Sequence, residues 1–353
     1  VTSQETKGEG GGGAGVGGSN GPDVARAASD WPAPRQVPTS YPGAAPGHSY
    51  LLIDDRVVPL TAGVAGDRLA VTLADGTPVD DVLAAAGLAT LGERVPILAY
   101  GSNRSPHTLA MKLSHHGTGP AEPTVAVPVL AGTMVGLDVV AAGVSSQGFV
   151  YADVVPSPGT EVSVMLTLLD PRQAAAIHDS EGLRQGAYDC ARLPGFAISG
   201  AGPGLEVLAY AGRHPVFVSP ETGTPLAFAA IAASGRTFAA YPQVELLGHV
   251  MEATGITGSA AGILGLAADR PAAEVAHEAA RLLSGQWWYT HNTGDEPAAA
   301  SVRLEELLWG AIGAHGAPQS TAERLGAEGA VLDVEVAYAL GPELRLGAQL
   351  GIA

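Results

Sequence analysis

The sequence predicts an α+β protein with mostly antiparallel strands and short connections. Three observations predict it. Short apolar or alternating runs recur along the chain, bounded by Gly, Pro and Asp where turns belong. Helical spacing of apolar residues is confined to a few segments, most of them in the C-terminal third. Apolar residues make up 46% of the 353 and aromatics only 5%, against 48 Gly and 26 Pro. The core is therefore built from small aliphatic side chains, and loops are many. The length suits one large domain or two ordinary ones.

Residues 1–47 are rich in Gly, Pro, Ser and Ala, and 8–18 are nearly all glycine. Such a segment buries too little apolar surface to offset its ordering entropy, and it reads as a disordered tail. Trp31 and Tyr41 lie within it, two rings that could dock on the folded part. Residues 48–92 read as a small β layer. Strands are expected at Ser49–Asp54, Arg56–Leu60 and Arg68–Ala74, with turns at Asp54-Asp55 and Asp75-Gly76, then a helix from Val79 that stops at Gly87.

Residues 93–215 form the main unit. Val95–Tyr100 is a buried-strand candidate followed by a Gly-Ser-Asn loop. Ser105-Pro106 then supplies an N-cap and a first-turn proline for a helix to about Leu113. Strands are expected at Val125–Ala131, Met134–Val140, Gly148–Val155 and Glu161–Leu169. Asp170-Pro171 opens a helix ending near Glu181-Gly182, with strands at Tyr188–Leu193 and Leu205–Ala211. Residues 216–353 read as a mixed α/β extension. Pro225–Ala233 fits a strand or a helix. Gln243–Ala253, Ala272–Ser284 and Ser301–Ile312 show helical spacing, and Val331–Ala337 and Glu343–Gln349 alternate like strands.

Lys plus Arg total 18 against 35 Asp plus Glu, a formal net charge of −17. A basic surface for nucleic acid or anionic lipid is therefore not expected. Cys190 is the single cysteine; it has no intramolecular partner and reads as a buried structural thiol in a reducing compartment. No secretory leader and no membrane span are visible, so a cytoplasmic soluble protein is expected. No cofactor or metal is expected: His115-His116 and His277-Glu278 lack zinc-ligand spacing. A nucleophile elbow and a phosphate loop are both missing. Trp287-Trp288-Tyr289 reads as core packing or as the wall of a ligand cleft or interface. The helix with Leu304, Leu307, Leu308 and Trp309 reads as an amphipathic core face.

Two segments carry chemistry. In Tyr100-Gly101-Ser102-Asn103, Gly101 lets the backbone turn and approach a ligand closely. The N–H groups of the loop and of the helix start suit an anion or a developing oxyanion. In Asp179-Ser180-Glu181-Gly182, Glu181 lies at the C-terminal end of a short helix. The negative end of a helix disfavours a charged carboxylate there, which makes it a stronger proton acceptor. Taken singly, the first segment also fits an ordinary turn and the second a solvated glutamate before a glycine stop.

Together they resemble the γ-glutamylcyclotransferase family over residues 95–212. Its strand-end Tyr-Gly-Ser-Asn loop is matched by Tyr100, Gly101, Ser102 and Asn103. Its Glu-Gly pair followed by Gly-x-Tyr is matched by Glu181, Gly182, Gly186 and Tyr188. The turn 155–162 is similar to the family's as well. The chain departs from the pattern at Arg104, where the family usually carries an apolar residue, and in Asp189-Cys190-Ala191. Arg104 reads as a solvated helix-start residue or as a group recognising an acidic substrate.

The resemblance implies a small mixed, largely antiparallel β-barrel with flanking helices. It also implies cyclisation of a γ-glutamyl amide to 5-oxoproline with release of an amine. Glu181 would be the general base, the loop amides would bind substrate, and Tyr100 and Tyr188 would line the pocket and orient Glu181. Two alternatives stand beside it: a small-ligand-binding or partner-assisting protein on the same fold, and another amide or acyl transfer in secondary metabolism. The C-terminal extension would then shape a larger cleft or a homo-oligomer interface.

Overall fold

The computed structural model describes residues 25–350 except 35–36, 66–67, 115–124, 146–148, 199–200, 294–299, 301, 305, 309–319 and 340. The strands are β1 (Arg26–Ala27), β2 (Tyr50–Ile53), β3 (Arg56–Ala65), β4 (Arg68–Leu73), β5 (Val95–Ala99), β6 (Ala126–Val144) and β7 (Val150–Leu169), followed by β8 (Tyr188–Ile198) and β9 (Ala201–Gly212). Helix α1 (Val79–Ala85) precedes β5, α2 (Pro106–Ser114) follows it, and α3 (Pro171–Ser180) joins β7 to β8.

Strands β6, β7, β5, β9 and β8 pair in that order, and β8 returns to β6. They close a five-stranded barrel. All its pairings are antiparallel except β5 with β9. The two hairpin arms expected on each side of residues 131–134 and 155–161 are single long strands. β6 and β7 run 19 and 20 residues, with their register shifted between Val135 and Leu137. One half of each strand builds the barrel, and the other half extends beyond it. The early hairpin is as expected: Ile53 pairs with Arg56 across a two-residue turn, and Asp54 takes a positive φ of 52°. β2 also pairs with β6, so the N-terminal β layer is continuous with the main sheet.

β5 is buried along its whole length. Val95, Ile97 and Ala99 pack in the cluster that holds Leu109 and Leu113 of α2 and Ala174 and Ile177 of α3. Leu98 and the following Tyr100 belong to the larger core. A central strand buried on both faces explains the continuous apolar run Val-Pro-Ile-Leu-Ala. At its start Arg94 is fully buried. It donates to the carbonyls of Ala89, Ala126 and Leu168 and to Gln173 Oε1, tying together β5, β6, β7 and α3.

Several expectations need correction. Part of the tail segment is built into the fold: Arg26 and Ala27 pair with β3, and Tyr41 is 4% exposed. A single large aromatic ring can anchor a glycine- and proline-rich stretch when a cavity receives it. Residues 216–241 are not set apart either. Phe217 and Phe228 join the larger core, while β10 (Ala227–Phe228) pairs with β6 and β11 (Ala233–Ser234) pairs with β7.

Helices α4 (Gln243–Ala253), α5 (Thr257–Ile263) and α6 (Ala272–Thr293) follow. Val331–Ala337 splits into a two-residue strand and a helix at Val334–Ala339, because Asp333 caps the N–H of Glu335. Glu343–Gln349 is helical, in Pro342–Leu344 and Leu346–Leu350. The stretch 301–312 is helical where described. His115-His116, the side chains of Trp287-Trp288-Tyr289 and Trp309 lie outside the described residues. Among the described residues no helix is long and apolar enough to cross a membrane.

Candidate active site

Strand β5 ends at Ala99 and delivers Tyr100 and the loop to one end of the barrel. Ser102–Arg104 form a 3-10 turn whose N-cap, Gly101, offers no side chain to its first N–H groups. Those donors are left for a ligand or solvent. Tyr50 donates its hydroxyl to the Arg104 carbonyl at 3.0 Å and fixes the far end of the turn. Ser105, just before α2, donates its hydroxyl to the Trp31 carbonyl at 3.2 Å, tying the N-terminal segment to the site.

Gly101 has a negative φ of −100°, so no left-handed turn requires glycine there. What requires it is Tyr41: a Cβ at 101 would sit 2.7 Å from the Tyr41 hydroxyl. That ring stacks on Phe149 at 4.9 Å, and its oxygen accepts the Ala152 N–H at 2.8 Å.

Glu181 is the C-cap residue of α3. Helix α3 begins with a complete capping box at Asp170 and Gln173, as Asp170-Pro171 predicts. It stops because Gly182 adopts φ +69°, the left-handed conformation favoured by glycine. That stop aims Glu181 at the Tyr100–Asn103 loop. Asn103 Nδ2 donates to Glu181 Oε1 at 2.9 Å. Lys112, in the last turn of α2, donates to the same Oε1 at 2.5 Å and to Asn103 Oδ1 at 2.8 Å. Glu181 Oε2 accepts no hydrogen bond among the described residues. The Lys112 and Glu181 side chains are 12% and 17% exposed, so this ion pair is only weakly screened.

All six residues singled out in the sequence (Tyr100, Gly101, Ser102, Asn103, Glu181 and Tyr188) line one cavity of about 230 Å3. Tyr41, Phe149, Tyr151 and Tyr210 add to its aromatic wall. The roles within it differ from expectation in one respect. Tyr100 does not orient Glu181, because its hydroxyl donates to the Tyr210 carbonyl at 2.8 Å. Tyr188 packs edge-on against Tyr210. Glu181 is oriented by Asn103 and Lys112. Lys112 was not among the residues that the sequence singled out, and it places an ammonium against this carboxylate. One signal marked it: the chain has only two lysines, Lys7 and Lys112.

Burial raises the pKa of Tyr100, Tyr188 and Tyr210 well above the ordinary value, and Tyr151 is pushed up to about 12. The wall therefore stays neutral. His178 meets Tyr210 Oη through Nδ1 at 2.9 Å, and burial pushes it down to about 4, so it is neutral too. Arg104 is half-buried: burial lowers its pKa, and its buried Nε finds no partner among the described residues. Cys190 is buried, and its thiol is pushed up to about 12, which keeps it unreactive.

Asp153 is fully buried behind the wall and accepts the N–H groups of Val154 and Gly212. Burial outweighs these donors and pushes its carboxyl up to about 6. A folded-state value above the unfolded one means that the stabilising protonated form is held below about pH 4 and lost as pH rises through about 6. Wild type should therefore lose stability across that window relative to Asp153→Asn. Denaturant unfolding of both proteins at stepped pH checks it, and parallel curves would refute it.

No protein-family model and no curated protein matches the chain. Among solved structures, it is similar to the uncharacterized protein LOC79017 from Homo sapiens, with 20% identity and a TM-score of 0.25 over 33% of this chain. It is also similar to a protein described as a gamma-glutamyl cyclotransferase, with 19% identity and a TM-score of 0.26 over 33% of this chain. The matched part spans 66% of the length of each of those two chains.

Proposed function

We propose that the chain is a cyclotransferase that converts a γ-glutamyl amide or peptide to 5-oxoproline and a free amine. One observation carries this reading: the Glu181 carboxylate and the Tyr100–Asn103 loop meet in a single cavity, joined by the 2.9 Å bond from Asn103. The motif resemblance supplies the reaction, and the chemistry suits the groups present.

The substrate carries its own nucleophile, so the protein has to fold it and move a proton. Glu181 Oε2 takes a proton from the α-ammonium. The freed amine attacks the γ-carbonyl carbon, forming the ring C–N bond. The amide N–H groups of the Gly101–Ser102 loop stabilise the oxyanion. The old C–N bond then breaks as Glu181 returns the proton to the leaving nitrogen, and the ring nitrogen gives up its remaining extra proton, again through Oε2, to the released amine, which departs as an ammonium. Asn103 and Lys112 hold Oε1, so the base can exchange its proton at Oε2 without losing its orientation.

Incubation with a panel of γ-glutamyl peptides and amines, read as 5-oxoproline by chromatography, tests this; no product from any of them would overturn it. A second reading keeps the cavity and omits turnover, so that the site binds an amino-acid-like ligand. The Lys112 ion pair favours it, because a cation already neutralises Glu181. A ligand that raises Tm without being consumed would support it.

A further inference from the structure

Lys112 is unusual in this chain in both kind and place. Of the 18 basic residues all but two are arginine. The other lysine, Lys7, lies outside the described residues. A chain that uses arginine for its other described cations has a lysine where a ligand cavity meets a carboxylate. The two cations differ physically. Arginine offers a planar fork, whereas lysine offers a compact charge whose three donors can be shared among separate acceptors.

Two of the Lys112 donors are assigned: one to Glu181 Oε1 and one to Asn103 Oδ1. Among the described residues the third has no acceptor, which leaves it to meet a ligand. Across the ion pair, Glu181 Oε2 has no donor among the described residues either. The cavity thus presents an ammonium N–H and a carboxylate oxygen side by side, both already oriented by Asn103. The complement of that pair is a carboxylate and an ammonium on neighbouring atoms, which is the head of an α-amino acid.

We propose that Lys112 anchors the α-carboxylate of the ligand, so that the Lys112–Glu181 pair selects compounds with both α-amine and α-carboxylate free. This rests on the cyclotransferase reading for the γ-amide that is cleaved. It leaves the Gly101–Ser102 amides to the γ-carbonyl, a division that the loop alone does not define. Compounds with a blocked α-carboxyl are then excluded as substrates.

The test is calorimetric titration of wild type, Lys112→Met and Lys112→Arg with L-glutamine and with its α-amide, L-glutaminamide. A pH of about 6 keeps both amines charged. Wild type should prefer L-glutamine by roughly 10- to 100-fold, the range of one hydrogen bond to a charged group. Lys112→Met should erase that ratio, and Lys112→Arg should keep part of it. A lysine that only neutralised Glu181 would change affinity for both compounds alike.

Equal affinity of wild type for the two compounds, no binding of either, or a ratio that survives in Lys112→Met would overturn the proposal. The wild-type ratio decides even if Lys112→Met fails to fold, and Lys112→Gln then replaces it. The same mixtures are assayed for 5-oxoproline. A lysine-dependent preference without 5-oxoproline would keep the anchor and remove the cyclotransferase. Product formed with no preference would do the reverse.

Discussion

Glu181→Gln should lower 5-oxoproline release by about 10²- to 10⁴-fold, the usual worth of a positioned proton acceptor. The amide keeps the size of the side chain and can still accept at Oε1, so the fold should survive. What it lacks is a basic oxygen facing the cavity. The loss should fall on kcat more than on KM, because the substrate's ammonium must be deprotonated before it attacks. Removal of the ion pair with Lys112 frees that ammonium, so binding of a carboxylate ligand should persist. Activity within a few-fold of wild type, in a folded variant, would remove Glu181 from the proposed chemistry.

The second large effect concerns stability. Asp138 on β6 is fully buried, and Arg236 meets it with two hydrogen bonds of 2.8 Å each. Arg236 also donates to the Phe228 carbonyl at 3.1 Å. The pair fastens residues 227–241 to the extended half of β6. Arg236→Met should cost about 3–5 kcal/mol in denaturant unfolding, because it leaves a buried carboxylate without its counter-charge. Adding Asp138→Asn should recover a large part of that loss, since the remaining groups are then neutral. A single-variant loss below about 1 kcal/mol would mean that water reaches Asp138 and satisfies it.

The residues of the candidate site were legible where local sequence controls local geometry. Asp170, Pro171 and Gly182 mark both ends of one helix, and that helix determines where Glu181 sits. The continuous apolar run at 95–99 marks a central strand, so the loop after it had to emerge at a strand end. Lys112 was hidden because a lone lysine on an amphipathic helix has no pattern; only its rarity could have drawn attention. The return of β8 to β6 was hidden because pairing between remote strands leaves no periodic trace in either. Around Asp333 alternation misled: the side chain of one residue captured a backbone N–H and turned a strand pattern into a helix. Tyr41 was misread through composition, which averages over the one ring that matters.

That ring has a further consequence for anyone shortening or grafting the protein. The phenol of Tyr41 is what makes position 101 intolerant of a larger residue, so the glycine of that loop is enforced from far upstream and not by the loop itself. A fragment beginning at residue 48 would retain every residue of the signature yet lose one wall of the chamber. In that fragment alanine at 101 would become admissible, and tolerance at one position would report the presence of the other.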